Sequence, residues 1–366
     1  MSSSAFQLGP LTVSVEGDER DPVFGAVRDE LSVLEPADSE SADVAFRFVD
    51  DLSLPKDTLH VGRWRLFDGG VVGRGGGYRF VMRRSADGFD VELDASTGRR
   101  AIVDHYKRAW NWNFLAPWET TAKNFMYDLF DLVTGAAILE KDASYLHAST
   151  CCRDGRAIAL VAWGGIGKTT SVLKLVTDDG WQYLSDDLGL IDGDGQVWRT
   201  PRRLQIYAYN VAGQPDLFDR VMGGRGPVDR VNWHWRLFRF GAKRVRRRIG
   251  AEELFGPELV GESAPLDKAI FLERADVDKM EWTELNADEL AHRSATILID
   301  ELNTLTDVAV AAESHGVDVG IPGVETMRAS SRDILKRAFA DIPAHLLRIP
   351  VDADPDALAA ALREKI

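Results

Sequence analysis

Residues 162–170 read Ala-Trp-Gly-Gly-Ile-Gly-Lys-Thr-Thr, and this glycine-rich stretch constrains the fold more than any other feature of the chain. It follows the apolar run Ala157–Val161 and precedes Ser171–Val176, a run typical of the start of a helix. A glycine-rich turn between a strand and a helix is the setting of a phosphate-binding loop. Glycine lets backbone N–H groups close around phosphate oxygens, and the positive end of the helix dipole points at the same oxygens. The sequence therefore predicts an α/β fold that binds a nucleoside triphosphate.

The loop residues have expected roles. Lys168 would reach the β- and γ-phosphates, and the Thr169 hydroxyl would bind Mg²⁺, so ATP with Mg²⁺ is the expected donor. The usual spacing has glycine at position 162, where this chain has alanine. The residues expected to surround the phosphates are Gly164, Gly165, Ile166, Gly167, Lys168, Thr169 and Thr170.

A pair of acids follows the loop at a distance that suits chemistry on a phosphate. Asp186 and Asp187 stand 18 and 19 residues after Lys168, just beyond the strand-like run Trp181–Leu184. If the helix returns the chain to a neighbouring parallel strand, both strand ends lie at one edge of the sheet, where ligands bind. Phosphoryl transfer needs a carboxylate on the metal and often a second near the attacking hydroxyl. We expect the pair to divide these roles, with Thr169 and Asp187 as metal ligands; two solvated acids in a turn are the alternative.

Four segments, taken in order, resemble the HPr kinase/phosphorylase family. They are Tyr145–Ser149, Gly155–Leu160, Gly164–Thr169 and Gly180–Asp187. That family has a histidine on the strand before the loop, a Gly-Ile-Gly-Lys loop and an Asp-Asp pair after the loop helix. Its fold is related to the phosphoenolpyruvate carboxykinase type of P-loop domain. The resemblance covers roughly residues 140–201, about a sixth of the chain.

The resemblance implies roles for individual residues. His147 would lie at the active site, although a hydrogen-bonded core histidine is the alternative. Lys168 would hold phosphate, Thr169 would hold Mg²⁺, and one of Asp186 and Asp187 would be the base. The implied activity is a kinase with an alcohol group as acceptor.

The chain departs from that family in two places. Thr200–Ile206 stands where the family has a Glu-x-Arg-Gly signature, and Ala162 and Trp163 replace a glycine and a polar residue of the loop. The chain is therefore more similar to the scattered HPr-kinase-like proteins, some of which phosphorylate free serine, small metabolites or ribosomally made peptides. We expect a serine-like hydroxyl of a small molecule or peptide as acceptor, rather than HPr.

The length of 366 residues suits two domains. Residues 1–115 predict a β-rich N-terminal domain, and residues 116–366 predict a P-loop kinase-like domain with a basic aromatic insertion at about 205–262. The strand-like runs of the first part are Leu11–Val15, Val44–Val49, Leu59–Phe67, Tyr78–Met82 and Phe89–Leu93. The predicted helices outside the loop are Ala122–Lys141, Asp288–Leu305, Ser331–Phe339 and Pro355–Lys365.

Residues 220–248, the basic segment, contrast with an acidic chain. The segment has ten basic residues and one acid, so it carries +9 within a chain of net charge −14. Three uses stay open: a flap or substrate arm, a contact within the molecule or between subunits, and a nucleic-acid channel. The negative net charge of the whole chain argues against a nucleic-acid partner. Arg225 of this segment, with Arg202 and Arg203, could grip substrate oxygens, although the latter two could equally form a solvated turn.

Nothing in the composition predicts export or a membrane partner. The first residues, Met1–Phe6, lack a basic residue and a long apolar stretch, and no apolar run of about 18 residues occurs. The adjacent Cys151 and Cys152 are expected to be free thiols, because neighbours in a strand point apart. We therefore expect a cytoplasmic protein. Whether it forms a homo-oligomer is left open by the sequence.

A regulatory NTPase switch of the signalling ATPase type is the alternative function. Gly164–Thr170 also resembles the loop of those proteins, whose metal-binding acid follows a later strand. Ala295–Glu301 could provide that strand and acid. The same segment also fits a helix that Asp288 can cap, and we expect the helix.

Overall fold

The computed structural model describes residues 1–38, 42–95 and 115–366. These residues form a mixed α/β structure with two nine-stranded sheets and a two-stranded ribbon. None of the helices within the described ranges combines the length and the apolar character that crossing a membrane requires. The predicted first domain includes residues 96–114, which lie outside the described residues, and the division into two domains stays a prediction.

The first sheet is built from residues 2–94, with the strand order β3-β1-β2-β4-β9-β8-β7-β6-β5. Its strands are β1 (Ser2–Leu8), β2 (Leu11–Gly17), β3 (Glu35–Pro36), β4 (Val44–Phe48), β5 (Leu59–Val61), β6 (Trp64–Phe67), β7 (Gly70–Gly75), β8 (Tyr78–Arg84) and β9 (Phe89–Asp94). Helix α1 (Pro22–Leu31) follows β2, and it is capped by Asp21, whose carboxylate accepts the Val23 N–H at 2.8 Å. The strands β2, β4 and β9 run parallel to one another.

The five predicted strand runs of this part are strands in the structure, with one correction. The run Leu59–Phe67 is two strands rather than one, because the chain turns at Gly62, whose φ is 56°. The strands β1, β3 and β7 and the helix α1 were not predicted.

A helical segment lies against the first sheet. It consists of α2 (Pro117–Asn124), a π-helical stretch (Phe125–Phe130) and α3 (Asp131–Leu139), and it confirms the helix predicted over Ala122–Lys141 with an earlier start. The ring of Phe46 on β4 packs edge-on against Phe125, with centroids 5.0 Å apart. One hydrophobic core thus joins the first sheet to a helix that the sequence assigned to the second domain.

The second sheet carries the glycine-rich loop. Its strand order is β10-β14-β15-β18-β12-β11-β13, with β20 beside β18 and β19 beside β20. The strands are β10 (Ala143–Leu146), β11 (Ala148–Arg153), β12 (Arg156–Val161), β13 (Gln182–Ser185), β14 (Gly189–Asp192), β15 (Gln196–Trp198), β18 (Ser263–Ala275), β19 (Glu281–Glu284) and β20 (Ala344–Pro350). The ribbon consists of β16 (Leu204–Tyr207) and β17 (Arg246–Ile249).

Outside residues 205–262, the predicted helices are present, but the helix Asn303–His315 was not predicted and the helix predicted over Ser331–Phe339 begins earlier, at Val324. The remaining helices are α4 (Lys168–Asp179), α5 (Pro215–Val221), α6 (Pro227–Phe240), α7 (Ala251–Phe255), a 3₁₀ turn (Pro257–Leu259), α8 (Ala287–Glu301), α9 (Asn303–His315), α10 (Val324–Ala338) and α11 (Pro355–Arg363). The segment Ala295–Glu301 lies within α8, so the expected helix is confirmed. The strand that a signalling ATPase would need at this position is not formed.

The strands on either side of α4 are not neighbours, which corrects the expected arrangement. Strand β11 lies between β12 and β13 and is antiparallel to both. The reason is a tight turn at Asp154 and Gly155, whose φ angles are 53° and 73° and which folds β11 back on β12 as a hairpin. The ends of β12 and β13 still meet at one edge of the sheet, together with the start of β11. Cys151 and Cys152 on β11 are buried free thiols, as predicted.

A buried ion pair connects the first sheet's helix to the ribbon. Arg248 of β17 donates to both carboxylate oxygens of Glu30 on α1, with 2.6 Å from Nη2 to Oε2. Both side chains are buried. Breaking a buried pair by removing one partner is strongly destabilising, because the remaining charge stays buried and unpaired. One cation of the basic segment therefore serves a contact within the molecule.

Candidate active site

The glycine-rich loop joins the end of β12 to the start of α4. Gly165 and Gly167 have φ angles of 77° and 124°, in the left-handed region that favours glycine. A Cβ atom at Gly164 or Gly165 would meet no atom within 4 Å. The loop therefore faces open space, and backbone conformation rather than crowding explains the glycine at position 165.

Lys168 folds back against the base of the loop. Its Nζ donates to the carbonyl oxygens of Ala162 at 2.7 Å and Trp163 at 3.1 Å, and it lies 2.8 Å from Nε2 of His147. The side chain is buried, and this burial lowers the pKa of Lys168. A buried ammonium group held only by neutral partners is a strong attractor for an anion.

His147 lies between β10 and β11, at the one position that separates the two strands. Burial, followed by the charge of Lys168, lowers the pKa of His147 to about 4, so the ring is neutral at pH 7. Because the ammonium group of Lys168 can only donate, Nε2 accepts and the ring proton is assigned to Nδ1. Nδ1 faces Oε1 of Glu301 at 3.5 Å and Oδ1 of Asp187 at 4.0 Å, and it makes no hydrogen bond with any of the described residues.

Asp186 follows β13 and is held by hydroxyl groups. Thr169 Oγ1 donates to its carboxylate with both oxygens at 3.0 Å, and the Ser149 hydroxyl donates to Oδ1. Burial raises the pKa of Asp186, although the hydrogen bond from Ser149 opposes this shift. The carboxylate of Asp186, not that of Asp187, is therefore the one that contacts Thr169.

Asp187 turns away from its neighbour in a strained backbone conformation. Its φ is 73°, which is uncommon for a residue other than glycine and often marks a functional site. Nη1 of Arg202 donates to Oδ2 of Asp187 at 2.8 Å. Arg202 also donates to Asp131, and its guanidinium lies 4.4 Å from the ring centre of Tyr127. The half-exposed carboxylate of Asp187 is thus fixed from one side and open on the other.

These groups meet at a cleft of about 600 Å³, a size that suits a small-molecule ligand. Of the site residues predicted from the sequence, the loop residues 164–170, Asp186, Asp187 and Arg203 line the cleft. His147 and Arg202 lie behind them, in contact with Lys168 and Asp187. Arg225 is not among the described residues that line it. Lys243 and Arg246 of the basic segment also line the cleft, as a flap or substrate arm would. The lining residues that the sequence did not indicate are Tyr127, Gln205, Tyr207, Tyr209, Arg274 and Pro355.

Two groups of side chains have metal-binding chemistry. The Thr169 hydroxyl and the Asp186 carboxylate offer hard oxygen donors. His147, Asp187 and Glu301 offer one nitrogen and two carboxylates, with donor atoms within 4.8 Å of one another. The sequence considered Glu301 only as part of the signalling ATPase alternative and did not place it in the kinase site. It did not place Ser149 there either.

The buried neutral ring of His147 predicts that acid weakens the native state. Its pKa of about 4 lies below the ordinary value of 6.5, so between these values the unfolded chain binds a proton that the native chain does not. Between pH 7 and pH 5, the free energy of unfolding should therefore fall by about 2 kcal/mol more in the wild type than in His147→Gln. Urea denaturation at both pH values measures this, and equal acid losses in the two proteins would contradict it.

Comparisons with known proteins give a distant structural match. No protein-family model matches the chain, and no curated protein matches it. A solved structure that is similar in part is the HPr(Ser) kinase/phosphatase from Coxiella burnetii. The match covers 60% of this chain and 95% of that chain, with 13% sequence identity and a TM-score of 0.26. At this distance, the family that the sequence resembles stays a prediction.

Proposed function

We propose that the chain is an ATP-dependent kinase that transfers a phosphoryl group to the hydroxyl of a small molecule or peptide. The observation that supports this most is one cleft shared by the glycine-rich loop, Lys168, Asp186 and Asp187. An ordinary glycine turn beside a surface lysine would not require a buried lysine–histidine contact opposite two acids. Positioning and charge stabilisation are what phosphoryl transfer demands of a protein.

The loop and helix α4 would bind the triphosphate of the donor. The first N–H groups of a helix have no partner within it, and the helix dipole favours an anion there. Lys168 would exchange its contacts with the carbonyl oxygens of Ala162 and Trp163 for phosphate oxygens. That exchange relieves the cost of a buried ammonium group that has only neutral partners.

Thr169 and Asp186 would hold the Mg²⁺ that accompanies the nucleotide. They fit this ion because hydroxyl and carboxylate oxygens are its preferred donors, and here they converge at 3.0 Å. Among the described side chains, none forms an ion pair with the buried Asp186, so a cation would complete its environment. Bound there, the ion neutralises charge on the phosphates. The sequence assigned this role to Asp187, but the contacts of Thr169 favour Asp186.

Asp187 would act on the acceptor. Arg202 fixes one carboxylate oxygen, while the exposed side of the group remains accessible from the cleft. In the proposed step, the acceptor hydroxyl gives its proton to Asp187. The hydroxyl oxygen of the acceptor attacks the γ-phosphorus of ATP, and ADP leaves. His147 lies behind this carboxylate, with 4.0 Å between its Nδ1 and Oδ1 of Asp187.

The test follows the label from γ-phosphate-labelled ATP. With Mg²⁺ and a panel of acceptors (serine, threonine, glycerol and serine-containing peptides), the protein is expected to place label on at least one acceptor. Parallel reactions with labelled GTP and pyrophosphate identify the donor. Release of the label only as inorganic phosphate would overturn the proposal and would favour the regulatory NTPase switch.

A further inference from the structure

Helix α6 carries an uncovered apolar stripe. Val228, Val231, Trp235 and Phe238 follow one another at spacings of three, four and three residues, which places them on one face. All four are exposed, Phe238 to 90%. Of the eleven large apolar side chains that are exposed in the described part of the chain, these four lie on a single helix. Scattered exposed apolar residues are ordinary, whereas a continuous stripe marks an interaction site.

The stripe faces outward because the opposite side of the helix is anchored. Trp233 is fully buried and belongs to the core beneath the helix. Its ring packs against Phe218 of α5, with centroids 6.0 Å apart, and against the guanidinium of Arg247 at 5.4 Å. The helix cannot rotate to bury the stripe without exposing this tryptophan, so the apolar face remains available to a partner.

Positive charge flanks the stripe. Arg239, Lys243 and Arg244 are exposed, and none of the three forms an ion pair with a residue that the structure describes. The basic segment as a whole carries +9. Two copies that packed stripe against stripe would bring like charges together, which is unfavourable. The charges therefore favour a partner that is acidic as well as apolar.

The stripe leads into the cleft. Lys243 and Arg246, just beyond the end of α6, line the cleft together with the glycine-rich loop. Lys243 is five positions after Phe238, so their Cα atoms are at most about 18 Å apart. A chain bound along the stripe could thus continue into the cleft within a few residues.

We propose that this stripe docks an acidic, amphipathic segment of a polypeptide whose hydroxyl-bearing residue enters the cleft. Apolar side chains of the segment cover Val231, Trp235 and Phe238, and its carboxylates pair with the flanking cations. This inference rests on the proposed function, because it makes the docked polypeptide the phosphoryl acceptor.

The test uses a fluorescein-labelled peptide with leucine at helical spacings of three and four and glutamate between. Fluorescence anisotropy should show that the wild type binds this peptide and that added salt weakens the binding. A Val231→Ser/Trp235→Ser/Phe238→Ser variant should bind it at least about ten-fold more weakly. The matched control is Val310→Ser, which removes an exposed apolar residue of α9 and should leave peptide binding unchanged.

Four outcomes would overturn the docking proposal. They are absence of peptide binding, equal binding of a peptide with lysine in place of glutamate, a wild-type dimer that the triple variant dissociates, and competition by oligouridine RNA. ATP binding by the wild type is measured separately by calorimetry. If the wild type binds no nucleotide, the result counts against the kinase; if the wild type binds nucleotide but not the peptide, the result counts against the docking surface alone.

Discussion

Replacement of Lys168 by alanine is expected to lower phosphoryl transfer at least about 10³-fold, because the γ-phosphate loses its only buried cationic partner in the loop. The fold should survive this change. The ammonium group now contacts only neutral groups, so its removal also removes a desolvation cost. Label transfer measures the first effect, and thermal unfolding followed by circular dichroism measures the second.

Lys174→Ala is the matched control for this change. Lys174 lies on the same helix, and its Nζ pairs with Asp356 at 2.5 Å, outside the cleft. This variant should transfer label at the wild-type rate. Full activity in Lys168→Ala, or equal losses in both variants, would remove the assignment of the glycine-rich loop as the phosphate site.

Asparagine substitutions are expected to separate the two neighbouring aspartates. Asp187→Asn should lower transfer by about 10²- to 10⁴-fold while ATP with Mg²⁺ still binds, because an amide cannot accept the acceptor's proton. Asparagine also tolerates the left-handed backbone at this position, so the loss reports chemistry rather than misfolding. Asp186→Asn should instead abolish the strengthening of ATP binding by Mg²⁺, since the buried carboxylate is lost.

Calorimetric titration of ATP with and without Mg²⁺, combined with label transfer, distinguishes these variants. Both substitutions replace one carboxylate oxygen by an amide nitrogen, and they do so at neighbouring residues, so each variant serves as the other's control. If Asp187→Asn lost the Mg²⁺ effect and Asp186→Asn kept it, the two roles would have to be exchanged. Ser149→Ala should resemble neither variant, because Thr169 still holds Asp186.

The sequence predicted those parts of the site that depend on short-range order. The loop, the helix behind it and the acids after β13 lie close together in the sequence. The distance along the chain from the loop to the acids therefore predicted that they meet in one site. The contacts of Arg202 with Asp131 and Tyr127 were not readable, because those partners lie about seventy residues away along the chain. Glu301 reaches His147 only through the packing of α8, which no local pattern encodes.

The basic segment could not be interpreted from its sequence because its burial is inverted. Arg236, Arg247 and Arg248 are buried, whereas Trp235 and Phe238 are exposed. Periodicity rules assume that apolar residues point inward, and here that assumption fails. The expected strand order was wrong for a different reason. The helical pattern of α4 predicts that the chain crosses from β12 to another strand of the sheet, but it does not show that β11 already lies beside β12.

The hairpin of β11 and β12 has an evolutionary consequence. Because β11 folds back on β12 as a hairpin, the donor-handling groups proposed above, from His147 to Asp186, all come from one contiguous stretch of the chain. The cleft walls that would meet an acceptor come from remote parts of the chain, among them Tyr127, Lys243 and Arg246. Substitutions in those walls could exchange one acceptor for another without disturbing the contiguous segment proposed to handle the donor.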